Sequence, residues 1–143
     1  MLLLPHTCRL LAALLLGALA LLAACAQAAT APAPTPDPAI LATGDPARGA
    51  QLYGARCAAC HAPDRTAGVG PGLGGLFSPS GPSRPAAADY GANLPSGLPI
   101  NEANVALWVR TGGRGKIGYM PPSNLDDRQL ADLIAHLKTL SGP

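Results

Sequence analysis

The sequence predicts a small, loop-rich, all-α domain, on three observations. Three segments pair a helix cap with apolar residues spaced for one helical face, starting at Asp45, in the stretch from Asn101 to Gly112, and from Asn124 onward. Between Ala62 and Pro99 glycine and proline dominate, with no sustained period of 3.6 or 2. No segment carries a clear strand pattern.

Taken from the N-terminus, the chain of 143 residues has 16 prolines and 17 glycines, room for one domain once its ends are set aside. Residues 1–24 read as an export signal. Leu10 to Ala24 is almost wholly Leu and Ala and follows a stretch with one arginine. At about 15 residues it is short for a membrane-spanning helix. Three readings of its end compete. A signal-peptidase site follows Ala26 or Ala28, where the upstream residues have the small-x-small form. Alternatively Leu22-Ala23-Ala24-Cys25 resembles the lipobox of bacterial lipoproteins, in which the cysteine becomes the first mature residue and carries acyl groups. Against the lipobox, Cys25, like Cys8, is only a small apolar residue inside the h-region. In the third reading the segment is an uncleaved anchor. Residues 25–44 follow as an Ala/Pro-rich linker with prolines at 32, 34, 36 and 38, a composition that favours extended conformations and reads as a tether.

The domain proper is expected at 45–143. Its nine basic and seven acidic side chains leave a net charge of +2, with no arginine-rich run or aromatic platform, so nucleic acid is set aside as a partner. Its aromatic residues are Tyr53, Phe77, Tyr90, Trp108 and Tyr119. So short a chain struggles to bury enough surface, and long loops need something to wrap around, so a non-protein group filling the core is expected.

Asp45-Pro46 opens the first helix, with Asp as cap and Pro at the first helical position, and Leu52 and Tyr53 share its apolar face. A middle helix of about three turns is expected in NEANVALWVRTGG. There Glu102 lies in the first turn, Val105, Trp108 and Val109 form a face, and Gly112 supplies the stop. The last helix reads most clearly. Asn124 is expected to cap a turn holding Asp126 and Asp127, and Leu130, Leu133, Ile134, Leu137 and Leu140 form a stripe before Gly142.

The first helix runs into Cys57-Ala58-Ala59-Cys60-His61, a C-x-x-C-H sequence of the kind that attaches c-type haem. The reason is geometric: thiols three residues apart reach two vinyl groups on one porphyrin edge, and the adjacent imidazole then lies beneath the iron. A structural disulfide or thioredoxin-like pair between Cys57 and Cys60 is a rival, but such pairs open a helix, and here a helical pattern precedes the motif. A zinc site needs a further Cys or His pair, and His136 is the one other histidine downstream. For the sixth position on iron, Met120 is the one methionine apart from Met1. It sits in Gly118-Tyr119-Met120-Pro121-Pro122, where prolines fix the direction of a thioether. Methionine paired with histidine favours reduced iron.

With these residues in this order, the stretch from Asp45 to Pro143 resembles the class I c-type cytochromes. The elements are Gly49 and Tyr53 on the first helix, the attachment run, Gly70-Pro71-Gly72-Leu73, a middle helix, Met120-Pro121 and a final amphipathic helix. The resemblance implies an all-α cytochrome c fold, its helices wrapped around one covalently bound haem c. It implies that the first and last helices cross at Gly49 and Tyr53, and that the Pro71 carbonyl accepts the other ring N–H of His61, fixing its tautomer. Leu73 would pack on the haem face. His136 departs from the pattern, since that helix usually carries Tyr or Phe there; it is read as a partly exposed residue beside Tyr53, with an axial ligand as the rejected alternative. Tyr90 either bonds a haem propionate or fills its loop, and Ser78 to Pro99 does not align to family positions. Trp108 is expected in the haem-side core. Arg110, Arg114 and Lys116 are either a positive cluster at the haem edge or a solvated face.

With His61 and Met120 both on iron, no position is open for a substrate. The expected function is therefore electron transfer by a mono-haem carrier, not an enzyme. The alternatives are a haem-containing enzyme subunit and a gas- or peroxide-reactive haem protein with a labile methionine. Expected partners are redox proteins such as a membrane oxidoreductase complex, a terminal oxidase or a dehydrogenase, met by a monomer. The expected location is the periplasm or the outer face of the cytoplasmic membrane, with lipid attachment at Cys25 one option.

Overall fold

Each helix among the described residues opens on a side chain that accepts from its first unpaired amides. The structure, a computed structural model, describes residues 34–78 and 90–140. The expected export signal, Cys25 and the first half of the tether lie outside them. Helix α1 (Pro38–Leu41) is capped by Asp37. Helix α2 (Pro46–Arg56) is capped by Asp45, whose carboxylate accepts from the amides of Ala47 and Arg48. Helix α3 (Glu102–Thr111) starts at Asn101, which accepts from the Asn104 amide. The last helix, α4 (Asp127–Thr139), is capped by Asp126.

Two of these caps correct the sequence reading. Asn124 was the expected cap of α4, but Asp126 and Gln129 satisfy each other's backbone amides in a reciprocal capping box that Asn124 cannot make. Leu125, just before the cap, is buried along with Leu130 in the first turn, and such a pair fixes the chain's entry angle. The tether was expected to run to Gly44, and it ends sooner. Asp37-Pro38 starts a helical turn, Ile40 and Leu41 supply adjacent apolar side chains, and Leu41 is 4% exposed against the core. Pro36 is fully enclosed as well.

Helix α4 organises the domain. Leu130, Leu133, Ile134 and Leu137 are buried as its spacing predicts, while Leu140 is half-buried at its C-terminal end and Gly142 lies outside the described residues. Helix α2 crosses α4 with almost no side chain between the backbones: a Cβ at Gly49 would stand 2.0 Å from the Asp132 carbonyl oxygen. Gly44 meets the Ala131 carbonyl oxygen at the same distance, so both are sites of close backbone approach. The crossing is further tied by Asp132, a buried carboxylate that accepts from the Asp45 amide at 2.7 Å and from two guanidinium nitrogens of Arg48 at 2.7 and 3.0 Å. These bonds hold its pKa below the usual 3.8, the Arg48 hydrogen bond being the largest cause.

The expectation of no strand is corrected by one very small hairpin, in which β1 (Gly113–Arg114) pairs antiparallel with β2 (Tyr119–Met120). The register sets Gly113 beside Met120, and the Gly115 amide closes the turn on the Gly118 carbonyl at 2.8 Å. Two-residue strands leave no alternation to read. Gly112 makes the hairpin possible: it ends α3 at φ 59°, and a Cβ there would lie 2.3 Å from the Met120 carbonyl oxygen. Among the described residues, no helix is long and apolar enough to cross a membrane.

Candidate functional site

The C-terminal end of α2 flows directly into the attachment turn. The Tyr53 carbonyl accepts from the amides of both Cys57 and Ala58, at 2.8 and 2.9 Å, and the Cys57 carbonyl accepts from Cys60 and His61, at 3.0 and 2.9 Å. These bonds set Cys57, Cys60 and His61 on one tight turn lining a single cleft. Both thiols are free, Cys57 half-buried and Cys60 exposed. Burial pushes the Cys57 thiol above its ordinary pKa, with Arg56 opposing more weakly. Its place at a helix C-terminus works in the same direction as burial, because the dipole there disfavours an anion. An exchange-active cysteine has the opposite character, so Cys57 is not set up as one. Among the described residues no group of three or more His, Cys, Asp or Glu side chains is placed to hold a metal ion.

His61 is fixed at its ring and at its peptide. Its Nδ1 lies 2.8 Å from the Pro71 carbonyl oxygen. A carbonyl only accepts, so Nδ1 carries the proton and Nε2 keeps its lone pair for a metal. A Cβ at Gly70 would lie 2.4 Å from Cε1 and 3.0 Å from Nε2, so glycine alone lets the ring lie against this segment. At the peptide end, the Tyr53 hydroxyl donates to the His61 carbonyl.

The other walls come from distant parts of the chain. Pro71 and Leu73 follow the attachment turn, Tyr90 and Leu94 come from the loop before α3, Trp108 from α3, and Met120 from the hairpin. All eight candidate residues therefore line one cleft. Trp108 lies beneath the hairpin: a Cβ at Gly113 would stand 2.8 Å from two atoms of its six-membered ring. The Tyr90 hydroxyl accepts from the Lys116 amide, and the Lys116 ammonium stands 4.8 Å from the Tyr90 ring centre, so this tyrosine ties its loop to the hairpin turn.

Sequence reasoning passed over several lining residues. Val105, Leu133 and Leu137 were read as helix core, and the cleft is in fact bounded by that core. Leu94 lies in the stretch that could not be aligned; the bridge between Asn93 and Pro99 folds it inward, leaving it 5% exposed. No local pattern announces that bridge. Arg110 is neither a free edge charge nor a solvated one, since its guanidinium pairs with Asp127 on α4 and donates to the Pro34 carbonyl. His136 does not line the cleft; its ring packs on Tyr53 with centroids 5.3 Å apart, as its bland reading had it.

The lining fits a c-type haem. Two free thiols and an imidazole with a fixed tautomer share one turn, a thioether lines the same cleft, and the remaining walls are chiefly aliphatic and aromatic.

The Cytochrome c family profile matches residues 46–141. Two curated relatives are each named cytochrome c. The one from Theileria annulata is 32% identical over 117 residues, covering 76% of this chain and 96% of its own length. The one from Theileria parva is 31% identical over 119 residues, with the same two coverages.

Proposed function

The chain belongs to the cytochrome c family, whose members hold haem c covalently, and from that premise we propose that it is a mono-haem carrier passing single electrons between exported or membrane-bound redox partners. In this reading Cys57 and Cys60 would hold the haem through thioethers, and His61 Nε2 and the Met120 sulfur would ligate its iron. The observation that carries it is the bond from His61 Nδ1 to Pro71, which aims a bare Nε2 into a cleft that Met120 also lines.

When bound, the haem supplies a reversible one-electron change at iron. The chain's own residues do the rest. Leu73, Leu94 and Trp108 keep water from the cleft, and the hairpin holds Met120 in place. Two protein ligands leave no position for a substrate, which supports a carrier without turnover of its own. At the mouth of the cleft Val69 is 77% and Tyr119 60% exposed, with Ile117 also exposed. Such an apolar rim suits the brief, small-area encounters of redox partners such as a membrane oxidoreductase complex, a terminal oxidase or a dehydrogenase. The Leu/Ala-rich run from Leu10 to Ala24 supports export to the periplasm or the outer face of the cytoplasmic membrane.

Purified mature protein tests this directly. It is expected to carry one haem per chain that denaturing conditions do not release, to titrate as a single one-electron couple, and to leave carbon monoxide unbound when reduced at neutral pH. Met120→Ala is expected to lower the midpoint potential and to admit carbon monoxide. Ready carbon monoxide binding by the wild type would favour the labile-methionine alternative over a carrier. Mass spectrometry of the mature N-terminus decides the anchor: diacylglycerol on Cys25 gives a tethered shuttle, and an unmodified start near Gln27 or Ala29 a free one.

A further inference from the structure

Most of the amides of the attachment turn are held by backbone carbonyls. The Cys57 and Ala58 amides go to the Tyr53 carbonyl, the Cys60 and His61 amides to the Cys57 carbonyl, and the Cys60 carbonyl accepts from the Gly70 amide at 2.8 Å. The carbonyl of His61 has a partner of another kind. Among the described residues no backbone amide reaches it, and its partner is the Tyr53 hydroxyl.

Tyr53 therefore holds the turn at both ends. Its own carbonyl takes the first two amides of the attachment run, and its side chain takes the last carbonyl, eight residues further on. The ring between these two anchors is 5% exposed and wedged against His136 at the α2–α4 crossing. Packing alone asks only for an aromatic ring at this position. The hydroxyl adds a bond that packing does not require.

We propose that Tyr53 is a positioning residue for the haem ligand: its hydroxyl, by fixing the His61 peptide, sets the imidazole's placement and couples it to the helix crossing. This rests on His61 being the axial ligand. Two tethers then share the task, Pro71 holding the ring's rotation and Tyr53 holding the peptide from which the ring hangs. Without the Tyr53 bond, the imidazole keeps the tautomer that Pro71 sets but loses its fixed origin.

The test compares holo wild type with holo Tyr53→Phe, which keeps the ring and deletes the donor. Amide hydrogen exchange is expected to quicken about three- to tenfold at Cys60 and His61, the range for one net hydrogen bond, and to change less at Leu133 and Leu137 in α4. The paramagnetically shifted His61 ring resonances of the oxidised protein are expected to move as well. Equal acceleration throughout, with unmoved ring resonances, would show that the hydroxyl serves general stability alone and would overturn the proposal. If Tyr53→Phe does not accumulate, NMR of wild type decides: a slowly exchanging Tyr53 hydroxyl proton close to the His61 backbone is expected, and a rapidly exchanging one overturns it. Failure of the underlying reading looks different, since a wild type without covalent haem, or with ring resonances that show no iron ligation by His61, removes the ligand itself.

Discussion

The α2–α4 crossing and the loop wall of the cleft are held together by different resources. At the crossing, backbones meet at Gly44 and Gly49, a buried carboxylate closes a network with Arg48, and apolar residues of α4 fill the space beneath. The wall that faces it, from Val69 through Leu76 and from Tyr90 to Leu94, has few repeating hydrogen bonds of its own and little regular structure. Several of its side chains, among them Leu73, Leu76 and Leu94, line the cleft. One half of the domain thus carries its own packing, and the other is shaped to surround a bound group. Such loops persist only when something fills the space they enclose.

The harshest way to break this contrast is to prevent attachment. Cys57→Ser combined with Cys60→Ser removes both thiols and leaves the turn's backbone bonds possible. The chain is expected to lose its cooperative thermal transition, a loss on the order of the 5–15 kcal/mol that holds a small domain together. Circular dichroism checks this, and a sharp melt retained by the haem-free chain would show that the loop wall supports itself. Next in size is a blow to the other half. Gly49→Ala sets a methyl 2.0 Å from the Asp132 carbonyl oxygen, so the helices must separate, at about 2–4 kcal/mol by chemical denaturation.

A finer cut goes through the polar network. Asp132→Asn keeps the shape but removes the charge that draws Arg48 inward, and about 1–3 kcal/mol of stability at neutral pH is expected to go with it. Because the folded chain holds Asp132 below its usual pKa of 3.8, its carboxylate contributes fully above that value. The contribution fades as pH falls through the depressed folded value, where the native state must take up a proton it resists. The asparagine variant is expected to lack this acid limb, so the stabilities of the two proteins should converge at low pH. Parallel curves would place the network's stabilisation in geometry and not in charge.

The same contrast governs what could be read from the sequence. Helices α2, α3 and α4 were legible because caps, stops and a 3.6-residue stripe are written within each segment. The attachment run was legible for a related reason: Cys57, Cys60 and His61 are neighbours in the chain, and scarcity singled out Met120. What escaped depends on partners far apart. Leu41 packs onto α4 from a stretch whose proline content suggested a tether, and Arg110 finds Asp127 seventeen positions on. The hairpin that presents Met120 has strands too short for any pattern, and it exists because Gly112 turns the chain at the end of α3. In each case the signal lies in the meeting of two segments, which no single segment carries.

The mildest test concerns His136, where the crossing carries an imidazole in place of the family's usual Tyr or Phe. Burial lowers its pKa from the ordinary 6.5, because the ring sits against Tyr53 and its charged form loses water there. Burial is the cause of the shift, and the titratable ring packed against it is Tyr53 across the crossing. The folded chain therefore binds a proton less readily than the unfolded one. Stability from this group is complete above 6.5 and falls as pH drops below it, until the folded imidazole is itself protonated. His136→Phe is expected to flatten that part of the profile and to gain no more than about 1 kcal/mol at neutral pH from a fuller aromatic contact. Thermal melts of the holo protein between pH 5 and 8 measure both, and an unchanged slope in the variant would mean that the imidazole already titrates as it does in water.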